Sequence, residues 1–277
     1  MLKKILKEIV EDKKRQGFPD FVIKNFIKEF LQYPVLNFIY NDKNYKNFIF
    51  TGGSCLRICF DAPRLSEDLD FDLYEKDYKK LDLSKLSKQL KLYFKKNYLI
   101  DIVAKGQTNK RIYLKFPLLK ELNLANESES DLLYVKIEPS KTSFKKPITE
   151  LSPVSSYGFN FIAKHYSLPF LMTGKLGAIF NREWFSGKKN EINIKGRDFY
   201  DLFWYLQKGV LPDWKNLKNS INISSESLLK KELLKLISKN ITSQKLSYDL
   251  KNFFPDQNFV YDFCKNYKKI MEKYLKK

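Results

Sequence analysis

Over the first 150 residues the apolar positions switch repeatedly between a spacing of three to four and a spacing of two. "FPDFVIKNFIKEFLQYPVLNFIYND" carries the wider spacing and predicts one or two helices broken at Pro34. "KNFIFTGG" predicts a short apolar strand ending in glycines. "SCLRICF" then predicts a helix opening at Ser54, with that serine as N-cap. "DLDFDLY" alternates polar and apolar residues, the mark of a half-buried strand. "LSKLSKQLKLYFKKN" predicts an amphipathic helix, followed by strand-like "YLIDIVA", "RIYLKFPLL" and "DLLYVKIEP". After Pro153 the pattern turns helical. "LPFLMTGKLGAIFNREWF", "GRDFYDLFWYLQKG", "SSESLLKKELLKLISKN" and "NFVYDFCKNYKKIMEKYLKK" predict a bundle with nothing strand-like of any length. The boundary candidate is "EPSKTSFKKPITELSPVSS". It divides the chain into a mixed α/β part, 1–157, and a helical part, 158–277.

Composition narrows the class. The chain has 277 residues, 43% hydrophobic and 16% aromatic, enough to build a sizeable core. Its net charge of +19 is shared by both parts. That field favours a polyanion partner, nucleic acid before anionic membrane; the bland counterpart is the lysine-rich usage of an AT-rich genome. Cys55, Cys59 and Cys264 form neither a Cys-x-x-Cys pair nor an even set, which argues against a disulfide framework or a zinc site and fits a reducing cytosol. The opening "MLKKILKEIVEDKK" is interrupted by acids and lacks the apolar stretch of a signal peptide. No run approaches a membrane span. The expectation is a soluble cytoplasmic protein.

In so basic a chain the acids of "RLSEDLDFDL" need a reason. On a strand, i and i+2 share a face, so Asp68, Asp70 and Asp72 point one way and Leu69, Phe71 and Leu73 the other. Carboxylates about 7 Å apart along a strand can lean on hard cations between them. Three acids on one face need either full solvent or a cation. Glu138, in "YVKIEPS", ends another apolar strand and joins the group if the two strands are neighbours. Upstream, Gly52-Gly53-Ser54 stands between a strand and a helix, where backbone N–H groups make an anion cradle. It is not a Walker A loop, whose spacing is absent. Alone, each feature also reads blandly, as a solvated strand face and an ordinary turn. His165 is the only histidine, so His-based triads and His-rich metal sites are excluded, and it reads as structural. Trp184, Trp204 and Trp214 read as bundle packing. The lysines from Lys265 to Lys277 read equally as a phosphate-tracking face and a solvated one.

Together, "TGGSCLR…RLSEDLDFDL" resembles the nucleotidyltransferase superfamily signature of Gly-Ser followed by Asp-x-Asp. With Arg64 and Ser66 ahead of "EDLDF" it resembles the AbiEii/AbiGii abortive-infection toxin family in particular. "TGKLGAIFNRE" is similar to that family's Lys-x-x-Ala-x-x-x-Arg helix, at Lys175, Ala178 and Arg182. "KGRDFYDLFWYL" is similar to its Arg-Asp-x-x-Asp-Leu helix, at Arg197, Asp198 and Asp201. "VKIEPS" takes the place of its strand-borne acid, Glu138. The matched segments run in family order from Thr51 to Leu206.

The resemblance implies an α/β (α+β) nucleotidyltransferase-fold domain with a mixed sheet, then a helical bundle, with the active site in the cleft between them. It implies transfer of a nucleotide from an NTP with Mg²⁺ or Mn²⁺ held by Asp68 and Asp70. Gly52, Gly53, Ser54, Arg64, Ser66, Lys175 and Arg182 form the nucleotide-binding set. Glu138, with Asp72 as the alternative, is the third acid, serving as general base or metal ligand. Lys175 and Asp198 complete the catalytic set, and Asp201 buttresses it. A toxin so built implies a cognate antitoxin, and the resemblance also implies the 3′ end of tRNA as acceptor, since some relatives modify it; the charge of +19 puts RNA first among acceptors. A protein acceptor, a small-molecule acceptor and a catalytically silent RNA-binding module are the alternatives.

Overall fold

The computed structural model describes residues 2–107, 110–182, 185 and 192–276; Trp184 and Lys277 lie outside the described residues. The chain forms two compact units, Met1–Ser143 with Thr149–Tyr166, and Phe144–Ile148 with Ser167–Lys277.

In the first unit, helices α1 (Leu2–Arg15) and α2 (Asp20–Asn41) precede strand β1 (Ile49–Thr51) and helix α3 (Gly52–Phe60). Strand β2 (Asp68–Leu73), the short α4 (Glu75–Tyr78) and α5 (Leu83–Tyr98) follow. They lead to β3 (Val103–Gln107), β4 (Arg111–Pro117), β5 (Leu132–Lys141), β6 (Thr149–Ser156) and β7 (Phe159–Tyr166). The seven strands form one mixed sheet in the order β3-β4-β5-β2-β1-β7-β6, with β2–β5 and β1–β7 parallel and the other pairs antiparallel.

Helix α2 runs unbroken through Pro34, where the sequence predicts a break. Proline deletes one backbone hydrogen bond, at a cost of about 3 kcal/mol in an exposed helix. Here Ile27, Phe30, Leu31, Val35, Leu36 and Ile39 are all buried. At about 1.5–3 kcal/mol per large apolar side chain, that packing outweighs the lost bond. Helix α3 starts at Gly52, two residues before the predicted opening, and Thr51 stands at its N-cap without a side-chain bond. Ser54 is therefore inside the first turn and not a cap.

The hairpin β6–β7 stands where the sequence predicts the boundary segment and the start of the helical part. "FNFIAKHY" in fact alternates, burying Phe159, Phe161, Ala163 and His165. Pro153 lies in β6, an edge strand, where a missing N–H costs little. His165 is a strut in this hairpin. Its Nδ1 donates to the Tyr166 carbonyl and its Nε2 accepts from Ser152 Oγ, both at 2.8 Å.

The second unit is helical: α6 (Leu168–Asn181), α7 (Gly196–Gln207), α8 (Trp214–Ile221), α9 (Glu226–Asn240), α10 (Ser243–Leu250), a 3₁₀ turn at Lys251–Phe253 and α11 (Gln257–Leu275). Side chains of Asp213, Ser225, Thr242 and Asp256 cap four of these helices at their N-termini. Trp204 is buried in this core, and Tyr267 donates its hydroxyl to the Phe199 carbonyl at 3.0 Å. Cys55, Cys59 and Cys264 are free thiols. Among the described residues no helix is long and apolar enough to cross a membrane.

Candidate active site

In the first unit the site begins where β1 turns into α3. Gly52 has φ +74°, a conformation that L side chains rarely adopt. A Cβ there would meet the Asp70 carboxylate, and a Cβ on Gly53 would stand 2.9 Å from Ser66 Oγ and closer still to the Arg64 guanidinium. The two glycines thus let a carboxylate, a guanidinium and a hydroxyl lie directly against the backbone. Arg64 is buried and donates from Nη1 to the Leu65 carbonyl at 2.9 Å. Ser54 is fully buried, and its hydroxyl donates to the backbone carbonyl of Asp68, tying α3 to β2. From the other side, Arg57 Nε lies 3.0 Å from the buried Glu29 carboxylate of α2, which fixes the orientation of α3. Burial raises the Glu29 pKa in spite of Arg57.

Strand β2 alternates as expected. Leu69, Phe71 and Leu73 are buried, and Asp68, Asp70 and Asp72 share the opposite, half-buried face. β5 lies beside β2 in parallel, with Asp68 level with Lys136, Asp70 with Glu138 and Asp72 with Ser140. The condition that Glu138 join the acids is met: it stands beside Asp70. Lys136 and Arg111 reach these acids from the same face. Lys136 Nζ is 3.0 Å from Asp68 Oδ2 and 2.8 Å from Glu138 Oε2, and Arg111 Nη2 is 2.9 Å from Glu138 Oε1. Burial would lower the Lys136 pKa, but Asp68 and Glu138 outweigh it and raise it. Asp72 is engaged elsewhere. It accepts from Ser140 Oγ at 2.7 Å and Tyr166 Oη at 2.9 Å, and burial raises its pKa in spite of both bonds.

In the second unit, Lys175, Ala178 and Arg182 follow one face of α6 into its C-cap. Gly196 opens α7 hard against α10, where a Cβ would stand 2.4 Å from the Leu246 carbonyl oxygen. That places Asp198 and Asp201 in the first turns of α7. Lys175 Nζ lies 2.7 Å from Asp198 Oδ1 and 2.8 Å from Asp201 Oδ2, while Arg182 Nη1 lies 2.7 Å from Asp198 Oδ2. Burial alone would raise the Asp198 pKa, but Lys175 and Arg182 prevail and hold it below the usual carboxylate value. Arg197 turns away: its backbone N–H donates to Asp249 Oδ2 at 2.9 Å, and its guanidinium lies 4.4 Å from the Phe253 ring centre.

The chemistry of the donor set suits a hard divalent cation of a particular kind. Among the described residues no three acids, histidines or cysteines gather closely enough to hold an ion unaided. Mg²⁺ commonly takes only one or two carboxylates and completes its shell with substrate phosphates and water. Asp68 and Asp70 beside a Cβ-free turn fit that mode, in which ion and triphosphate arrive together.

Sequence reasoning missed Lys136 and Arg111. Lys136 was within reach, since it lies two residues before Glu138 on the same strand face. Arg111 was not, because its approach to Glu138 depends on the β4–β5 register.

Residues 39–258 match the family model described as nucleotidyl transferase AbiEii toxin, type IV TA system. Among solved structures the chain is similar to MenT4, a nucleotidyltransferase toxin from Mycobacterium tuberculosis H37Rv. The TM-score is 0.51 at 12% identity, covering 97% of this chain and 89% of that one. It is also similar to JHP933 from Helicobacter pylori, with TM-score 0.50, 16% identity, and 91% and 92% covered. At these identities the likeness shows the fold. No match was found among curated proteins.

Proposed function

Since the chain belongs to the AbiEii family of nucleotidyltransferase toxins, we propose that it transfers a nucleoside monophosphate from an NTP to RNA, with tRNA as first candidate, under the control of a cognate antitoxin. The observation that carries this reading is the seating of Asp70 against Cβ-free Gly52, with Asp68 and Glu138 on the same sheet face. Asp68 and Asp70 would hold Mg²⁺, which supplies charge neutralisation at the triphosphate. The Gly52–Gly53 turn and the N-terminus of α3 receive phosphate oxygens, and Ser54 locks that turn to β2. Arg64 and Ser66 flank the same turn. Glu138 accepts the proton of the acceptor hydroxyl. Lys175 is the cation proposed to steady phosphate as charge shifts toward pyrophosphate. Asp198 and Asp201 orient it, and Arg182 adds positive charge beside Asp198.

The test is a labelling assay with Mg²⁺, total tRNA and each α-labelled NTP in turn, run beside Asp70→Asn. Label entering tRNA from one NTP, with loss of more than about 100-fold in the variant, is the expected result; removing mere supporting groups around a metal already costs 10–100-fold. Label on protein instead would replace the RNA acceptor with a protein one. Full activity of Asp70→Asn would overturn the site.

A further inference from the structure

The sheet face that bears the carboxylates continues past them toward the β3 edge, and its composition changes there. Strand alternation and register put Val103 and Lys105 of β3, Arg111, Tyr113 and Lys115 of β4, and Tyr134, Lys136 and Glu138 of β5 on one side. The intervening Ile112, Leu114, Phe116, Leu133, Val135 and Ile137 are buried on the other. Lys115 stands level with Tyr134 and with Val103, and Tyr113 with Lys136 and Lys105. The rings of Tyr113 and Tyr134 meet edge to face at 6.4 Å, and Lys115 Nζ lies 5.3 Å from the Tyr134 ring centre. Tyr134 is 39% exposed and Lys105 is exposed. The one acid on these three strands' outer face, Glu138, is already matched by Lys136 and Arg111.

A flat face on which tyrosines alternate with cations has a recognisable chemistry. Tyrosine rings offer stacking surfaces to unpaired bases, and the lysines between them meet the phosphates. A protein-docking face would show a contiguous apolar patch, whereas here Val103, Pro117 and Leu132 lie at the end of the strands away from Glu138, and tyrosines alternating with cations fill the face between. A duplex keeps its bases stacked on one another and cannot use the rings. Tyr113 lies two strands, about 10 Å, from Asp68, within a nucleotide or two of the carboxylates.

From this we infer that the outer face of β3, β4 and β5 is a platform for single-stranded RNA, with bases stacking on Tyr134 and Tyr113 and phosphates held by Lys105 and Lys115. It delivers the strand's end toward Asp68, Asp70 and Glu138. The inference deepens the RNA-acceptor reading and rests on it for direction, while the binding itself is independent of catalysis.

Fluorescence anisotropy with a fluorescein-labelled, mixed-sequence RNA dodecamer, without metal or nucleotide, tests it. Tyr134→Ala is expected to weaken binding about tenfold, within the usual range for one base–ring stack, and Tyr134→Phe, which keeps the ring, to stay within about twofold of wild type. Lys115→Gln is expected to reduce the slope of log K against log salt by about 0.7. Phe21→Ala, an exposed ring on α2, should change nothing. Wild-type binding to a duplex as tight as to the single strand overturns the proposal, as does Tyr134→Ala binding like wild type. Should label still enter RNA in the transfer assay while Tyr134→Ala binds normally, the platform fails and the transferase reading stands. Binding that depends on Tyr134 with no label transferred gives the converse.

Discussion

A Cβ at Gly52 would lie 2.2 Å from Asp70 Oδ2, so the carboxylate occupies the space a side chain would need. Gly52 also holds φ +74°. Gly52→Ala is therefore expected to cost about 1–2 kcal/mol through backbone strain alone. The same substitution pushes Asp70 away from the turn. Transfer should fall at least tenfold even at temperatures where the variant is folded. Urea denaturation beside the labelling assay separates the two effects, and near-normal activity in a folded variant would mean that Asp70 need not sit against the turn.

Lys136 holds the two acids it touches as an internal counter-ion. Replacing it by methionine keeps an unbranched side chain of nearly the same length and removes the charge. Repulsion between an ammonium and a divalent ion held by the same carboxylate is worth about a kcal/mol or more even in a well-screened site. Lys136→Met should bind Mn²⁺ alone several-fold more tightly than wild type, read by electron paramagnetic resonance of the free ion. Unchanged Mn²⁺ affinity would show that Lys136 does not compete with the metal.

The sequence leaves Glu138 and Asp72 both open as third acid. Asp72 is committed to Ser140 and Tyr166, whereas Glu138 stands beside Asp70. Glu138→Gln is expected to lower kcat by about 100-fold or more, in the range of a general base, and Asp72→Asn to lower it only a few-fold. A reversed order would exchange their roles.

Asp198 answers to Lys175 and Arg182, and its folded pKa lies below the usual 3.8. A carboxyl so depressed contributes stability that is complete above the unfolded value and is lost as pH falls through the folded one. Asp198→Asn removes the carboxylate charge that Lys175 and Arg182 both contact. It should destabilise by roughly 3 kcal/mol at pH 7, as for a broken buried pair. The difference from wild type should shrink as pH falls below 3.8. Denaturation curves at a series of pH values measure it, and a pH-independent difference would remove the ion pair as its cause.

What could be read from the sequence was local. The period-two run "DLDFDL" put three acids on one face because successive strand residues alternate sides whatever the partner strand. The three-and-four spacing of Lys175, Ala178 and Arg182 likewise needs only a helix. The Gly-Gly turn was visible as punctuation, and the ordered resemblance from Thr51 to Leu206 supplied the family. What the tertiary structure decided was register and partnership. Asp70 meets Glu138 only because β5, some seventy residues away, pairs with β2 in parallel. Ser54 looked like a cap because serine often is one. Its hydroxyl instead finds the Asp68 carbonyl, which no helix-end rule foresees. The β6–β7 hairpin hid behind Pro153, whose meaning depends on whether its strand lies at an edge. Local periodicity is a property of the backbone and is written in the residues. Which strand lies beside which is settled by burial across the whole sheet, and that sum is not legible from any one segment.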